Sequence, residues 1–120
     1  MVWEKQFESE KWIKQQIAQL YNSVNQEMYD VGVKTLKVEL LQHKCIIFGE
    51  HKRVPALRAL EQRNEALTGQ VDAALVDEFK KRLHRLLVQE LNLPVRTVLK
   101  DFDPVSGAAA TVIYLEEKSR

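Results

Sequence analysis

The chain is short of nearly everything that marks a catalytic or metal centre. Cys45 is its only cysteine. No intrachain disulfide can form, and a lone thiol suits a reducing compartment. The four glycines stand singly, which excludes a glycine-rich phosphate-cradling loop. Proline occurs only three times and low-complexity runs are absent, so little disorder is expected beyond the ends. No stretch approaches the roughly 18 apolar residues of a membrane span. Met1-Val2-Trp3-Glu4-Lys5 lacks the apolar run of a signal peptide. The expected location is the cytoplasm. An excess of one charge sign is also missing. Eighteen basic and 17 acidic side chains leave a formal net charge of +1, which argues against a strong nonspecific nucleic-acid or membrane-surface binder.

What remains is an ordinary globular balance, 45% hydrophobic and 29% charged. At 120 residues one domain fits, with enough surface to bury for a real core. The expected organisation is an N-terminal extension over 1–9, a single domain over 10–116 and a tail over 117–120.

The apolar periodicity changes along the chain. Ile13, Ile17, Leu20, Val24 and Met28 form a helical stripe, widened by Trp12 and Tyr21. This helix is expected to start near Ser9 or Glu10. Its expected end is before Gly32, a natural left-handed terminator, which makes it the longer of two major helices. Leu36, Val38 and Leu40 then alternate with Thr35, Lys37 and Glu39, as in a half-buried strand. After a turn over 41–44, Cys45 to Phe48 gives a second strand that ends at Gly49. Pro55 suits the first position of a helix. That helix is expected to close at Thr68-Gly69, with Asp72 capping the next one. Leu75, Phe79, Leu83, Leu86 and Leu87 supply the next apolar stripe, and Asn92-Leu93-Pro94 stops it. Val95 to Lys100 and Ala110 to Leu115 read as a closing hairpin around a turn over 101–107.

The order α-β-β-α-α-β-β predicts a two-layer α+β domain. Its four-stranded, largely antiparallel sheet would be covered by helices on one face. Thr35, Lys37, Glu39 and Thr97 are expected to decorate the uncovered face. Ile47, Ile113 and Leu115 are apolar groups that could also reach it. An apolar cluster there would call for a second copy or a partner to cover it.

The run from Val95 through Asp101, Pro104 and Gly107 to Leu115 resembles the closing hairpin of the MpsC-type domain family. The helix beginning Lys11-Trp12-Ile13 looks like that family's opening helix. The resemblance spans about residues 10–116. Where the family carries a glycine-rich turn after its first helix, this chain has Asn25 to Gly32. The family's Leu-Thr-Pro-Ala-Glu motif survives here as Arg53-Val54-Pro55-Ala56-Leu57. The family takes its name from a component of a cation-translocating, membrane-potential-generating system. The resemblance therefore implies an accessory role near cation or inorganic-carbon uptake, with a protein partner at a membrane transport system. It carries over no catalytic residues.

Several side chains invite chemistry. Asp101 and Asp103 flank Phe102 and could bind a cation or act as an acid/base pair, but aspartates before Pro-x-Ser-Gly also shape turns. His43, His51, His84 and Cys45 are the soft metal ligands, without the spacings zinc requires. Lys80, Lys81, Arg82 and Arg85 form a basic cluster that could meet phosphate or an acidic partner; Asp77 and Glu78 are placed to pair with it along the helix. Trp3 and Phe7, spaced i, i+4, either cap the core or dock on a partner. No serine has the surroundings of a nucleophile.

These readings lead to a non-enzymatic accessory or regulatory domain without cofactor or metal, working through protein contacts as a homodimer. The contact candidates are Trp3, Phe7, Lys81, Arg82, Arg85, Asp101 and Asp103. Two alternatives stand beside it. One is nucleic-acid binding through the middle segment, where residues 33–69 hold seven basic and four acidic side chains, together with Arg82 and Arg85. The other is a small-molecule sensor anchored by Asp101, Arg82 or Arg96 between sheet and helices.

Overall fold

The order α-β-β-α-α-β-β is the order observed. The computed structural model describes Trp3 and residues 9–117. Its elements are α1 (Glu10–Tyr29), β1 (Thr35–Leu40), β2 (Lys44–Glu50), α2 (Pro55–Arg63), α3 (Glu65–Leu91), β3 (Val95–Phe102) and β4 (Ala108–Leu115). The sheet order is β1-β2-β4-β3, and every neighbouring pair is antiparallel. The helical pair carries the chain from β2 to the far edge. There β3 leaves a gap, and β4 returns to fill it.

Local chemistry sets the helix ends, in several places against expectation. Ser9 caps α1 by accepting a hydrogen bond from the Trp12 N–H at 3.0 Å. The terminator is Asp30 rather than Gly32: Asp30 adopts φ 59° and its N–H donates to the Gln26 carbonyl at 2.8 Å. The break between α2 and α3 falls at Asn64, not at Thr68-Gly69. Asn64 ends α2 in an extended conformation, and its side chain accepts from the Leu67 N–H at 3.0 Å to start α3. Thr68 and Gly69 therefore lie inside α3, where one glycine costs only about 1 kcal/mol. At 27 residues α3, not α1, is the longer helix. Asp72 caps nothing; it is taken by Arg53 in a two-pronged pair at 2.6 and 3.1 Å.

The core lies between the helices and one sheet face. Ile13, Ile17, Tyr21 and Val24 come from α1, and Phe79, Leu83, Leu87 and Leu91 from α3. The sheet adds Val38, Cys45, Ile47, Val98, Ile113 and Leu115. Register keeps these on one face: Val38 pairs with Ile47, Cys45 with Ile113, and Ile113 with Val98. Ile47, Ile113 and Leu115 thus point under the helices, not onto the open face. Tyr21, read as the margin of the α1 stripe, sits at its centre and is fully buried. By contrast α2 has no buried residue and rides on α3.

Candidate functional site

The structure scatters most of the side chains that the sequence singled out. Trp3 is a core residue, 1% exposed, and its indole N–H donates to the Leu41 carbonyl at 2.6 Å. Of the two readings open for it, packing holds. Phe7 lies outside the described residues. Arg82 is already engaged: its Nε donates to Glu78 at 2.8 Å, and a terminal nitrogen pairs with Glu27 of α1. It ties the two long helices together. Lys80 pairs with Asp77 at 3.3 Å. Lys81 and Arg85 are exposed and form no ion pair among the described residues.

Asp101 and Asp103 shape the closing hairpin. Asp101 accepts from the Phe102 N–H at 2.9 Å. Asp103 accepts from the Val105 N–H at 3.2 Å and the Ser106 hydroxyl at 2.8 Å, which holds its carboxyl below the usual range. The hydroxyl of Ser106 in turn accepts from the Ala108 N–H at 3.1 Å. The pocket expected from Asp101, Arg82 and Arg96 between the layers is not assembled. Asp101 faces away from the helices. Arg96 lies at an irregularity of β3, 5.3 Å over the open-face ring of Tyr114. Arg82 sits on α3, tied to α1. Cys45 is buried, and burial pushes its thiol up to about 12, so it is an inert core group. Among the described residues no three His, Cys, Asp or Glu side chains gather as metal ligands.

Two features replace that list. The first is the open face. Its cross-strand rows are Leu99, Val112, Ile46 and Glu39; Asp101, Ala110, Phe48 and Lys37; Thr97, Tyr114 and Lys44; and Ala108, Glu50 and Thr35. Phe48 is 45% exposed and Leu99 50%. Ile46, Val112 and Tyr114 are half-buried beside them. Together they make an apolar centre that no helix among the described residues covers. Its rim carries Lys37, Lys44 and Arg96 against Glu39, Glu50 and Asp101.

The second feature is a polar cluster beneath the sheet, at the α1–α3 seam. Strand β3 turns Val98, Lys100 and Phe102 inward, since Val98 pairs with Ile113, Lys100 with Thr111 and Phe102 with Ala109. The Lys100 ammonium rests 3.2 Å from the centre of the Phe79 ring and 4.9 Å from that of Tyr21. It donates to the Tyr21 hydroxyl at 3.2 Å. The Tyr21 hydroxyl and His51 Nε2 are 2.7 Å apart. With Lys100 protonated and donating, the tyrosine proton is directed at His51, whose own hydrogen then sits on Nδ1.

Aromatic faces substitute for a counter-ion here. No carboxylate among the described residues lies within salt-bridge distance of Lys100. Enclosure pulls its ammonium down to about 7. His51 is lowered to about 4, first by burial and then by the Lys100 charge. Burial also pushes the Tyr21 hydroxyl well above the ordinary phenol range. Near neutral pH the cluster is a neutral tyrosine, a neutral histidine and a lysine balanced between its charged and neutral forms. Such a chain can hold or pass a proton, and an inward amine of this kind is the type of group found at functional sites.

Beside it, Arg53 and Asp72 form a largely buried ion pair, with Glu61 3.7 Å from the same guanidinium. The turn before β4 fixes His51 from the other side. The His51 N–H donates to the Gly107 carbonyl at 2.8 Å. Gly107 has φ 82°, and a Cβ there would stand 2.8 Å from the His51 carbonyl oxygen.

The sequence contained one signal for this cluster. In Val98-x-Lys100-x-Phe102 a lysine shares its strand parity with two apolar residues. The meeting of Tyr21, His51, Phe79 and Lys100 follows from tertiary packing and no local pattern could have shown it. No protein-family model, curated protein or solved structure matches this chain. The two sites therefore stand on their geometry.

Proposed function

We propose that this domain is a non-enzymatic accessory module that works through protein contacts and pairs with a second copy of itself across the open sheet face. The observation that carries the reading is the uncovered apolar centre formed by Ile46, Phe48, Leu99, Val112 and Tyr114. Exposed apolar surface of this kind, rimmed by polar groups, is characteristic of interaction sites. The rim favours self-pairing: three cationic and three anionic side chains surround the centre. A face apposed to itself about a two-fold axis can match such charges, whereas a rim of one sign would repel. The accessory role at a membrane transport system rests on the sequence resemblance alone. No helix among the described residues is long and apolar enough to cross a membrane.

Sedimentation equilibrium over a wide concentration range tests the reading. The native chain is expected to sediment as a dimer. Leu99→Lys is expected to be a folded monomer, because it places charge at the centre of the contact. A native chain that stays monomeric at the highest attainable concentration would overturn the self-pairing. The nucleic-acid alternative predicts salt-sensitive binding, but Arg82 is already taken by two carboxylates.

A further inference from the structure

The geometry points to an oxyanion site at His51, where a small carboxylate- or phosphate-bearing molecule lies in an outer groove and sends one oxygen into an inner cleft reached by Arg53 and Lys100. The site is separate from the open sheet face and does not depend on dimerisation.

Two cavities lie along the segment after β2. The inner cleft, bounded by His51, Arg53, Asp72 and Lys100, has a volume of about 30 Å³, room for roughly one or two oxygen-sized atoms. The outer groove, about 570 Å³, runs past Lys34 and Arg58 to the Pro104–Gly107 turn. That volume falls in the range of small-molecule sites. His51, Lys52 and Arg53 line both. The inner cleft and the groove are therefore neighbours along this segment.

The charge inventory selects an anion. Of the three lining carboxylates, two are paired with a cation. Asp72 and Glu61 are held by Arg53, and Glu50 accepts from the Thr35 hydroxyl. The other cations are unpaired: among the described residues Lys34, Lys52, Arg58 and Lys100 make no ion pair. Lys100 donates one hydrogen bond, to Tyr21, although an ammonium has three donors. The most pointed observation is on Arg53. Its side chain is only 8% exposed, yet its buried Nε has no hydrogen-bond partner. Arg53 lines both cavities, so its guanidinium reaches them with its hydrogen-bonding capacity incompletely used. Val54, the residue before α2, also lines the inner cleft and supplies no side-chain cap.

Inorganic phosphate and acetate are the probes, each titrated into the full chain at constant ionic strength with chloride as the balancing anion. The readouts are the thermal midpoint and the amide shifts of His51, Lys52 and Gly107. At least one anion should raise the midpoint and move these amides saturably. Phosphate alone would indicate a phosphorylated ligand, acetate alone a carboxylate, and both a general oxyanion site. Lys52→Gln combined with Arg58→Gln changes only exposed, unpaired side chains, so the fold should persist while the affinity falls several-fold. Lys100→Met should abolish the response; if that variant fails to fold, the double variant decides. Leu99→Lys should bind as the native chain does, so this site and the dimer face can fail independently. Lack of saturation with either anion would overturn the proposal, as would an unchanged titration in the double variant.

Discussion

On the helix-covered face of the sheet, β3 carries Val98, Lys100 and Phe102; on the open face the same strand carries Thr97, Leu99 and Asp101. Each face mixes apolar and polar groups, but their circumstances are opposite. The inward lysine is enclosed by Phe79 and Tyr21 and bonded to a hydroxyl. The outward leucine stands half exposed beside Val112. A charge has been taken from water and apolar surface has been left in it. Both choices work against stability of the isolated chain. Local rules broken without a stability gain are the expected signature of function. The two faces therefore underlie the two proposals: a surface covered by a second copy, and a cleft that takes an anion.

The comparison can be broken first on packing energy. Ile113 is fully buried on the covered face, and Phe48 is 45% exposed on the other. Ile113→Ala should lower unfolding free energy by about 2–5 kcal/mol. Measured on monomeric protein, Phe48→Ala should cost about 1 kcal/mol or less, as surface changes do. Urea denaturation reads both. Similar costs would mean that the two faces are buried alike.

Next comes the enclosed charge. Lys100 titrates near 7 in the folded chain against an ordinary value of 10.5. Between those values the unfolded chain binds more protons, so stability rises with pH across that window and is lowest below about 7. His51, lowered to about 4 from 6.5, adds a loss of the same sign as pH falls through that lower window. Lys100→Met should remove the upper slope. It should also stabilise the chain at neutral pH by about 1–4 kcal/mol, since an apolar side chain of similar length replaces an uncompensated charge. Denaturation midpoints from pH 6 to about 10 measure this. A native chain whose stability is flat over that range would sink the assignment.

The smallest expected effect tests the link between turn and cluster. Gly107→Ala places a methyl group 2.8 Å from the His51 carbonyl oxygen at φ 82°. The loss should be about 1–3 kcal/mol. It should come with a shift of the His51 ring resonances, because the backbone that holds His51 must move. A stability loss without change at His51 would confine the effect to the turn.

Much of the architecture was legible because it is encoded locally. The change from helical to alternating periodicity located both hairpins, and Pro55 and Asn92-Leu93-Pro94 marked real helix boundaries. The misreadings were local competitions settled by partners. Asn64 won the helix break from Thr68-Gly69 because its side chain could reach the Leu67 N–H. Asp72 was drawn from capping by an arginine distant in sequence. Asp30 displaced Gly32 because a left-handed aspartate sufficed to close α1. Site residues fared worse. Conspicuous charges such as Arg82 and Asp103 turned out to be satisfied by near neighbours, whereas Tyr21 and Lys100 looked like routine members of a helix and a strand.

The sequence by itself determined the element order, the two-layer α+β class and a sheet face that the described helices leave open, since periodicity, caps and turn chemistry act over a few residues. Only the tertiary structure decided which apolar groups that face exposes, because a single step of register exchanges Ile47 for Phe48. It also decided that His51, Tyr21, Phe79 and Lys100 meet. These residues come from three elements and the loop after β2, and only the docking of helices α1 and α3 onto the sheet brings them within bonding distance.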